Sequence, residues 1–436
     1  MDGHVAPDLP RRTIAKVAWR LVPFIVVSYI VAYIDRSNVA FAALTMNRDL
    51  GLSSFAYGLG AGIFFVGYAI CEVPSNLILE RVGARRWIAR IMITWGIVSA
   101  LMATVTGPAS FVTLRLLLGI AEAGFFPGML VYFTYWFPAR YRGRVIAALY
   151  IAVPASNAIA AVISSAMLGL NGVLGLKGWQ WIFVGEAIPA VLLGVVTLKI
   201  LTDRPREATW LEPAERDWLE AELSRERRRV EGFGRVALIE ALTDSRVLVL
   251  SAVWFMSQVA TYGITFFLPQ IVTELGTSVA VAGVLTAIPY AIGTVGPVLW
   301  GASSDRNQER RWHFIVALLL AATGLVLAGW WHGSYLALVG MAAAMVGIYG
   351  SKPCIWSMPS QFLTGVGAAA GIALMNSIGS VGGYVGPLAV GWIRESTHGF
   401  EAGIYFLAAC ALASAAIAFV ARRATTGPEA EAVGAR

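Results

Sequence analysis

The chain has 436 residues, 58% of them hydrophobic and only 14% charged, with a mean hydropathy of +0.69. Soluble domains carry about a quarter charged residues, so this composition excludes an ordinary soluble enzyme and points to a polytopic, all-α membrane protein. The net charge of +7 is then read as Lys and Arg retained in cytoplasmic loops among membrane lipids, and no nucleic-acid partner is expected.

Twelve apolar runs can be drawn, each long enough to cross a bilayer as a helix. The first six lie near 19–42, 54–78, 87–107, 111–137, 144–168 and 179–201. A polar stretch over 203–245 follows, and six more runs lie near 246–273, 280–302, 312–331, 335–358, 366–393 and 400–421. The expected division is a six-helix bundle over 1–201, a cytoplasmic linker over 202–245, and a second bundle with a short tail over 246–436. Leu211, Leu219 and Leu223 have a spacing suited to a short amphipathic helix, but the density of charge around them favours a solvated linker. The first twenty residues lack an apolar core followed by a small-residue cleavage site, so the first span is expected to act as the targeting signal. Cys71, Cys354 and Cys410 sit singly in apolar runs and read as small buried hydrophobes.

Charge placement tests this count. Arg11, Arg12 and Lys16, then Arg81, Arg85 and Arg86, then Arg140, Arg142 and Arg144 fall in alternate loops. The linker, Arg306, Arg310 and Arg311, and finally Arg422 and Arg423 continue the series, whereas the intervening loops hold only Arg48, Lys177 and Arg394. An even number of spans with both termini cytoplasmic fits this pattern.

Two runs carry charges that membrane-grade sequence tolerates poorly, at about 2.5 to 3.5 kcal/mol each. They are Asp35 and Arg36 in the first run, and Arg115 and Glu122 in the fourth. There is also an internal echo. Glu80, Arg81, Arg85 and Arg86 after the second run recur at the same spacing as Asp305, Arg306, Arg310 and Arg311 after the eighth. Two homologous six-helix halves would explain it. Glu80, Arg81, Arg85, Asp305, Arg306 and Arg310 are therefore expected to gate, pairing with a neighbouring helix end in one conformation and parting in another.

These duplicated loops, the span count and the long middle linker resemble the major facilitator superfamily over nearly the whole chain. Narrower stretches are similar to its anion:cation symporter branch: YIDRSNVAFA, GYAICEVPSNLILERVGARRWI, RLLLGIAEAGFFPG, WFPARYRGR and IALMNSIGSVGGYVGPLAVGWI. The resemblance implies a major facilitator fold and proton-coupled uptake of organic anions such as sugar acids, tartrate or aromatic carboxylates. It also implies a bacterial inner-membrane location. Asn76 replaces the usual Gly of the first loop, Glu80 its usual Asp, and Gln308 stands where the first loop has Gly83.

Arg36 and Arg115 are the expected anion ligands, because a guanidinium stays charged and offers a carboxylate a bidentate fork; alternatively they only neutralise the two acids. Asp35 and Glu122 are the expected proton carriers. An anion that engages the arginine loosens its pairing with the acid and favours proton uptake there, a reciprocal coupling. The family pattern makes the acid of the fourth span the principal carrier and ties Asp35 to gating. By the same resemblance Gln258 and Asn376 supply hydrogen bonds from the second half, or else join helices. Tyr33, Tyr68, Tyr262, Trp356 and Ser357 form a second tier of wall residues. Lys352, between Tyr349 and two prolines, adds a third positive group to the cavity or snorkels to an interface. Glu72 is read as packing or gating. No nucleotide-binding loop, nucleophilic triad or metal-type cluster of His4, His313, His332 and His398 is visible, so neither a cofactor nor an enzyme is expected. A uniporter, an exchanger, a sodium-coupled carrier and a non-transporting receptor remain the rivals. A monomer can hold the whole pathway.

Overall fold

The computed structural model describes residues 8–230, 243–359 and 365–421. Arg422, Arg423 and the side chain of Arg144 lie outside what is described. Among these residues every regular element is helical. The first half comprises α1 (Leu9–Leu50), α2 (Ser54–Val82), α3 (Ala84–Leu101), α4 (Pro108–Glu122), α5 (Phe125–Trp136), α6 (Ala139–Leu168) and α7 (Gly178–Ile200). Next is α8 (Pro213–Val230), followed by α9 (Ser245–Thr273), α10 (Val279–Gly293), α11 (Val295–Asn307), α12 (Arg311–Trp330), α13 (Leu336–Ser357), α14 (Gly365–Thr397) and α15 (Glu401–Val420). Counting α4 with α5 and α10 with α11, eleven helical segments among the described residues are long and apolar enough to cross a membrane. The protein is an all-α, multi-pass membrane protein.

Several boundaries move from those expected. The first run continues to both sides as one 42-residue helix, closed at Gly51 in the left-handed region (φ 63°). The fourth run is two helices, because Gly124, two residues after Glu122, turns the backbone with φ 86°. A side chain there would also strike the Ser75 hydroxyl of α2. The linker departs most. It carries helix α8 with Leu211, Leu219 and Leu223 buried, so the leucine spacing and not the charge density predicts the outcome.

Packing falls mainly within residues 9–200 and within 245–420. In the first group α1 packs on α6 and α7, α2 on α4, and α3 on α7. In the second, α9 packs on α14 and α15, and α12 on α13 and α15. The main contacts that cross between the groups are α2 with α14, α6 with α10, and α1 with α9. Because successive helices run back and forth, the arginine-rich loops and α8 share one end of the bundle, called here the basic end. At the far end α2 and α14 meet backbone to backbone, with Gly58 against Pro387 and Gly391 against Ser54. The perimeter exposes aliphatic side chains such as Ile70, Leu77, Leu192 and Val316, with Trp19, Trp330 and Trp392 among the exposed rings. That is the surface a lipid-facing helix requires.

Candidate functional site

A cavity lies between the two groups of helices, about midway along them. From the first group it is lined by Tyr29, Tyr33, Arg36 and Ser37 of α1, Phe65 and Tyr68 of α2, and Tyr150 and Asn157 of α6. From the second come Trp254, Gln258, Thr261, Tyr262 and Thr265 of α9, Tyr349, Lys352 and Trp356 of α13, and Asn376 and Ser380 of α14.

Each wall presents one cation. Arg36 forms an ion pair with Glu122, and its guanidinium lies over the rings of Tyr33, Phe64 and Tyr68 at 5.0 to 5.3 Å. Its Nε donates to nothing. Across the cavity, Lys352 donates from Nζ to Gln258 Oε1 at 2.5 Å and to Thr261 Oγ1 at 3.1 Å, with the Trp254 ring 4.4 Å away. It is 9% exposed, and no carboxylate lies within ion-pair distance of it among the described residues. A buried ammonium held only by neutral oxygens and an aromatic face is an incomplete electrostatic arrangement, one that an anion completes.

The other expected residues divide clearly. Gln258 and Asn376 line the cavity, but each is already engaged: Gln258 by Lys352, and Asn376 by donating to Glu72 Oε1 at 2.6 Å. The latter bond joins α14 to α2 and places Glu72 at the seam between the groups. Tyr33, Tyr68, Tyr262 and Trp356 line the cavity, whereas Ser357 turns back on its own helix to donate to the carbonyls of Pro353 and Cys354.

Arg115 does not line the cavity. It is fully buried behind Phe64 and donates to the carbonyls of Gly60 and Ala61 on α2, both at 3.2 Å. Glycine at 60 and alanine at 61 leave those carbonyls accessible to it. Glu122, seven residues on, pairs with Arg36 and not with Arg115, so it reaches the cavity through that partner. Asp35 also lies off the cavity: it faces α3, accepting from Ser99 and from Asn38 Nδ2 (3.3 Å).

The expected gating residues do not pair with one another between the two duplicated loops. Asp305 pairs with Arg310 at 2.5 Å, and Arg85 turns to Asp203, whose Oδ1 accepts its backbone N–H at 2.7 Å. Glu80, Arg81 and Arg306 are exposed. Three residues that sequence reading passed over belong to the polar framework. Asn157 donates to the Tyr349 hydroxyl at 2.9 Å across the cavity, Asp203 closes the loop after α2, and Glu186 is a buried acid of α7. Glu186 carries the same signal that exposed Asp35, an acid inside an apolar run.

Comparison with known proteins fits this architecture. The family model of the Major Facilitator Superfamily matches residues 25–375 and 271–435. A protein of Agrobacterium vitis, provisionally named as a tartrate transporter, is 49% identical over 97% of this chain and 94% of its own. A quinolone resistance transporter of Acinetobacter baumannii is 41% identical over 92% of each chain. The inner membrane transport protein RhmT of Escherichia coli K12 is 40% identical over 92% of this chain and 94% of its own. Among solved structures, a bacterial homologue of the human lysosomal transporter Spinster, inward-facing and unoccupied, superposes with a TM-score of 0.77 at 18% identity, covering 97% of this chain and 98% of that one. A D-xylose–proton symporter gives 0.73 at 16% identity, covering 92% and 97%. With its helical architecture shared and its length spanned by these relatives, the chain belongs to the major facilitator superfamily and is a membrane transporter, not an enzyme.

Proposed function

We propose that the protein is a proton-coupled symporter of a small organic anion, with a tartrate-like or sugar-acid dicarboxylate as the favoured substrate, working by alternating access in the bacterial inner membrane. The carrying observation is the pair of cations on opposite walls of one cavity, Arg36 with an unused Nε and Lys352 without a carboxylate partner among the described residues. A substrate with two acidic groups can engage both, and so couple the two groups of helices. Hydroxyls of such a substrate match the Thr261 and Tyr262 hydroxyls and the Asn157 and Asn376 carboxamides on the walls. The name of the Agrobacterium relative supports the same substrate class.

In this reading α14 is the eleventh span and brings the count to twelve, residues 1–201 and 246–436 are the two six-helix halves, and 202–245 joins them. The basic end is cytoplasmic, with both termini there. Anion binding draws Arg36 away from Glu122 and leaves that carboxylate able to take a proton, so substrate and proton favour one another. Arg115 acts from behind, fixing α2 and the local positive potential. A dianion moving inward against a negative interior needs at least as many protons as charges to avoid an opposing potential.

Aromatic rings around the cavity, among them those of Tyr29, Tyr33, Tyr68, Tyr262, Trp254 and Trp356, favour a second reading with an aromatic carboxylate as cargo. One experiment separates the readings: uptake of labelled tartrate, galactarate and benzoate into proteoliposomes under an imposed proton gradient and a clamped potential. Tartrate or galactarate should accumulate and collapse with a protonophore. Equilibration insensitive to the gradient rejects symport, and accumulation of benzoate alone rejects the dicarboxylate.

A further inference from the structure

The buried charges of the first group of helices do not balance. Among the described residues, four carboxylates are buried there, Asp35, Glu72, Glu122 and Glu186. The guanidiniums set among them are two, the fully buried Arg115 and the mostly buried Arg36. Arg36 is committed to Glu122 and Arg115 to backbone carbonyls. Neither Asp35 nor Glu186 forms an ion pair among the described residues. Arg115 and Arg36 act on Asp35 from a distance, but Glu186 has only Asp35, Asn38 and Ser164 around it, and a buried carboxylate without a cation is strongly unfavourable unless something neutralises it.

Glu186, only 4% exposed, accepts from Ser164 Oγ at 2.6 Å through Oε1. Asn38 of α1 lies between the two acids. It donates to Asp35 Oδ1 and is also a side-chain neighbour of Glu186, as Asp35 itself is. Three oxygens of this group receive no hydrogen bond: Asp35 Oδ2, Asn38 Oδ1 and Glu186 Oε2. The cluster is therefore short of donors, and each proton bound by a carboxylate supplies one. Among the described residues no cation acts on Glu186. Helix α7 packs on α1, α3 and α6. The charges of α3, Arg85, Arg86 and Arg90, and those of α6, Arg140, Arg142 and Arg144, stand in the first two turns of those helices at the basic end. Near this cluster α3 and α6 present Ser99 and Ser164. Asp49 and Lys177 at the far end pair with one another at 3.2 Å, and Lys199 lies at the opposite end of α7.

We propose that Glu186 is an additional proton-binding carboxylate of the transport cycle, linked through Asn38 to Asp35 and set on the far-end side of it. The proton arrives from water, resides on a Glu186 oxygen, and returns to water on the other side of the membrane. Resting on the proton-coupled reading above, this assigns one of the protons that accompany each substrate to a residue remote from the cavity.

Two measurements on the full-length protein test it. In proteoliposomes, the proton-to-tartrate ratio follows from the pH gradient that just balances a fixed membrane potential. E186Q should lower that ratio by one while tartrate exchange persists, and E186D should restore it. An unchanged ratio in an E186Q protein that still exchanges tartrate overturns the proposal. Should the native protein move no tartrate, the substrate reading fails by itself, and the second measurement still decides. Infrared difference spectra between acidic and alkaline buffer, without substrate, should lose a protonated-carboxyl band in E186Q that D35N retains; superimposable native and E186Q spectra overturn the proposal. If E186Q does not fold, S164A removes the hydroxyl bonded to Glu186 and should displace that band, and an undisplaced band counts against it. Sodium-dependent uptake that E186Q abolishes would make the cluster a metal-cation site and also overturn the proton assignment.

Discussion

A helix turns about 100° per residue, which sends the adjacent side chains Asp35 and Arg36 to different surroundings. Arg36 enters the cavity and takes Glu122, while Asp35 turns into the first group toward Ser99 and Asn38. The charged residues themselves were legible because each is an acid or base in a run that should have none. Their pairing was not, since it depends on which helices meet and on where small residues uncover a carbonyl, as Gly60 does for Arg115. Lys352 is the residue whose role the geometry sharpens most. Hydrogen bonds to charged groups contribute about 1.5 to 3 kcal/mol, so K352Q should weaken tartrate binding by roughly 10- to 150-fold. Glycerate, with one carboxylate, should lose far less. Trp254 and Trp356 stand beside the site, so quenching of tryptophan fluorescence can follow both titrations. Equal losses for the two acids would leave Lys352 a positioning residue for Gln258 and Trp254.

At the scale of elements, α8 shows why the linker was misread. Its leucines carry the helical signal, but the surrounding charges looked solvated because their partners lie 84 to 203 residues away in sequence. Glu215 takes Lys16 at 2.9 Å and Arg12 at 3.3 Å, and Glu226 takes Arg142 at 2.9 Å. Trp210 stacks on Trp136 with centroids 5.4 Å apart. The helix thus straps the start of α1 to the end of α5. Burial alone would push the Glu215 carboxyl up, but the Glu212 N–H, Lys16 and Arg12 outweigh it and hold the group below its usual range. A depressed carboxylate contributes stability above its ordinary pKa and loses it as pH falls through the lowered value. Acidification through that range should therefore speed amide hydrogen exchange over 213–226, and E215Q should exchange fast at every pH. Equal, pH-independent protection in both proteins would show that the leucines alone hold α8.

For the whole molecule, the all-helical, multi-pass character was legible because hydropathy reports it directly. Which end is closed was not, since in the alternating-access reading proposed above the same sequence closes either end in turn. The structure has its far end shut. Gly58 and Gly391 let α2 and α14 touch through their backbones, Tyr57 donates to the Phe266 carbonyl at 2.8 Å, and Glu395 accepts from the Phe55 N–H at 2.8 Å. At the basic end Asp305 pairs with Arg310 in its own loop, Arg85 turns to Asp203 after α7, and Glu80, Arg81 and Arg306 face solvent, which leaves the Glu72–Asn376 bond as a polar tie between α2 and α14 below the cavity. A side chain at position 58 would strike the Pro387 carbonyl, an atom of the backbone that cannot swing aside. Overpacking of this kind costs about 1 to 3 kcal/mol. Because the contact exists only with the far end shut, G58V should shift the conformational balance toward the far-end-open state by roughly 5- to 150-fold. A cysteine at Thr265 on the cavity wall, in a protein with Cys71 replaced by serine, should then react with a membrane-impermeant maleimide from that side, and substrate turnover should fall. G107V, where a new side chain meets nothing within 4 Å, should alter neither. Native labelling and native turnover in G58V would mean that closure of the far end does not depend on the α2–α14 backbone contact.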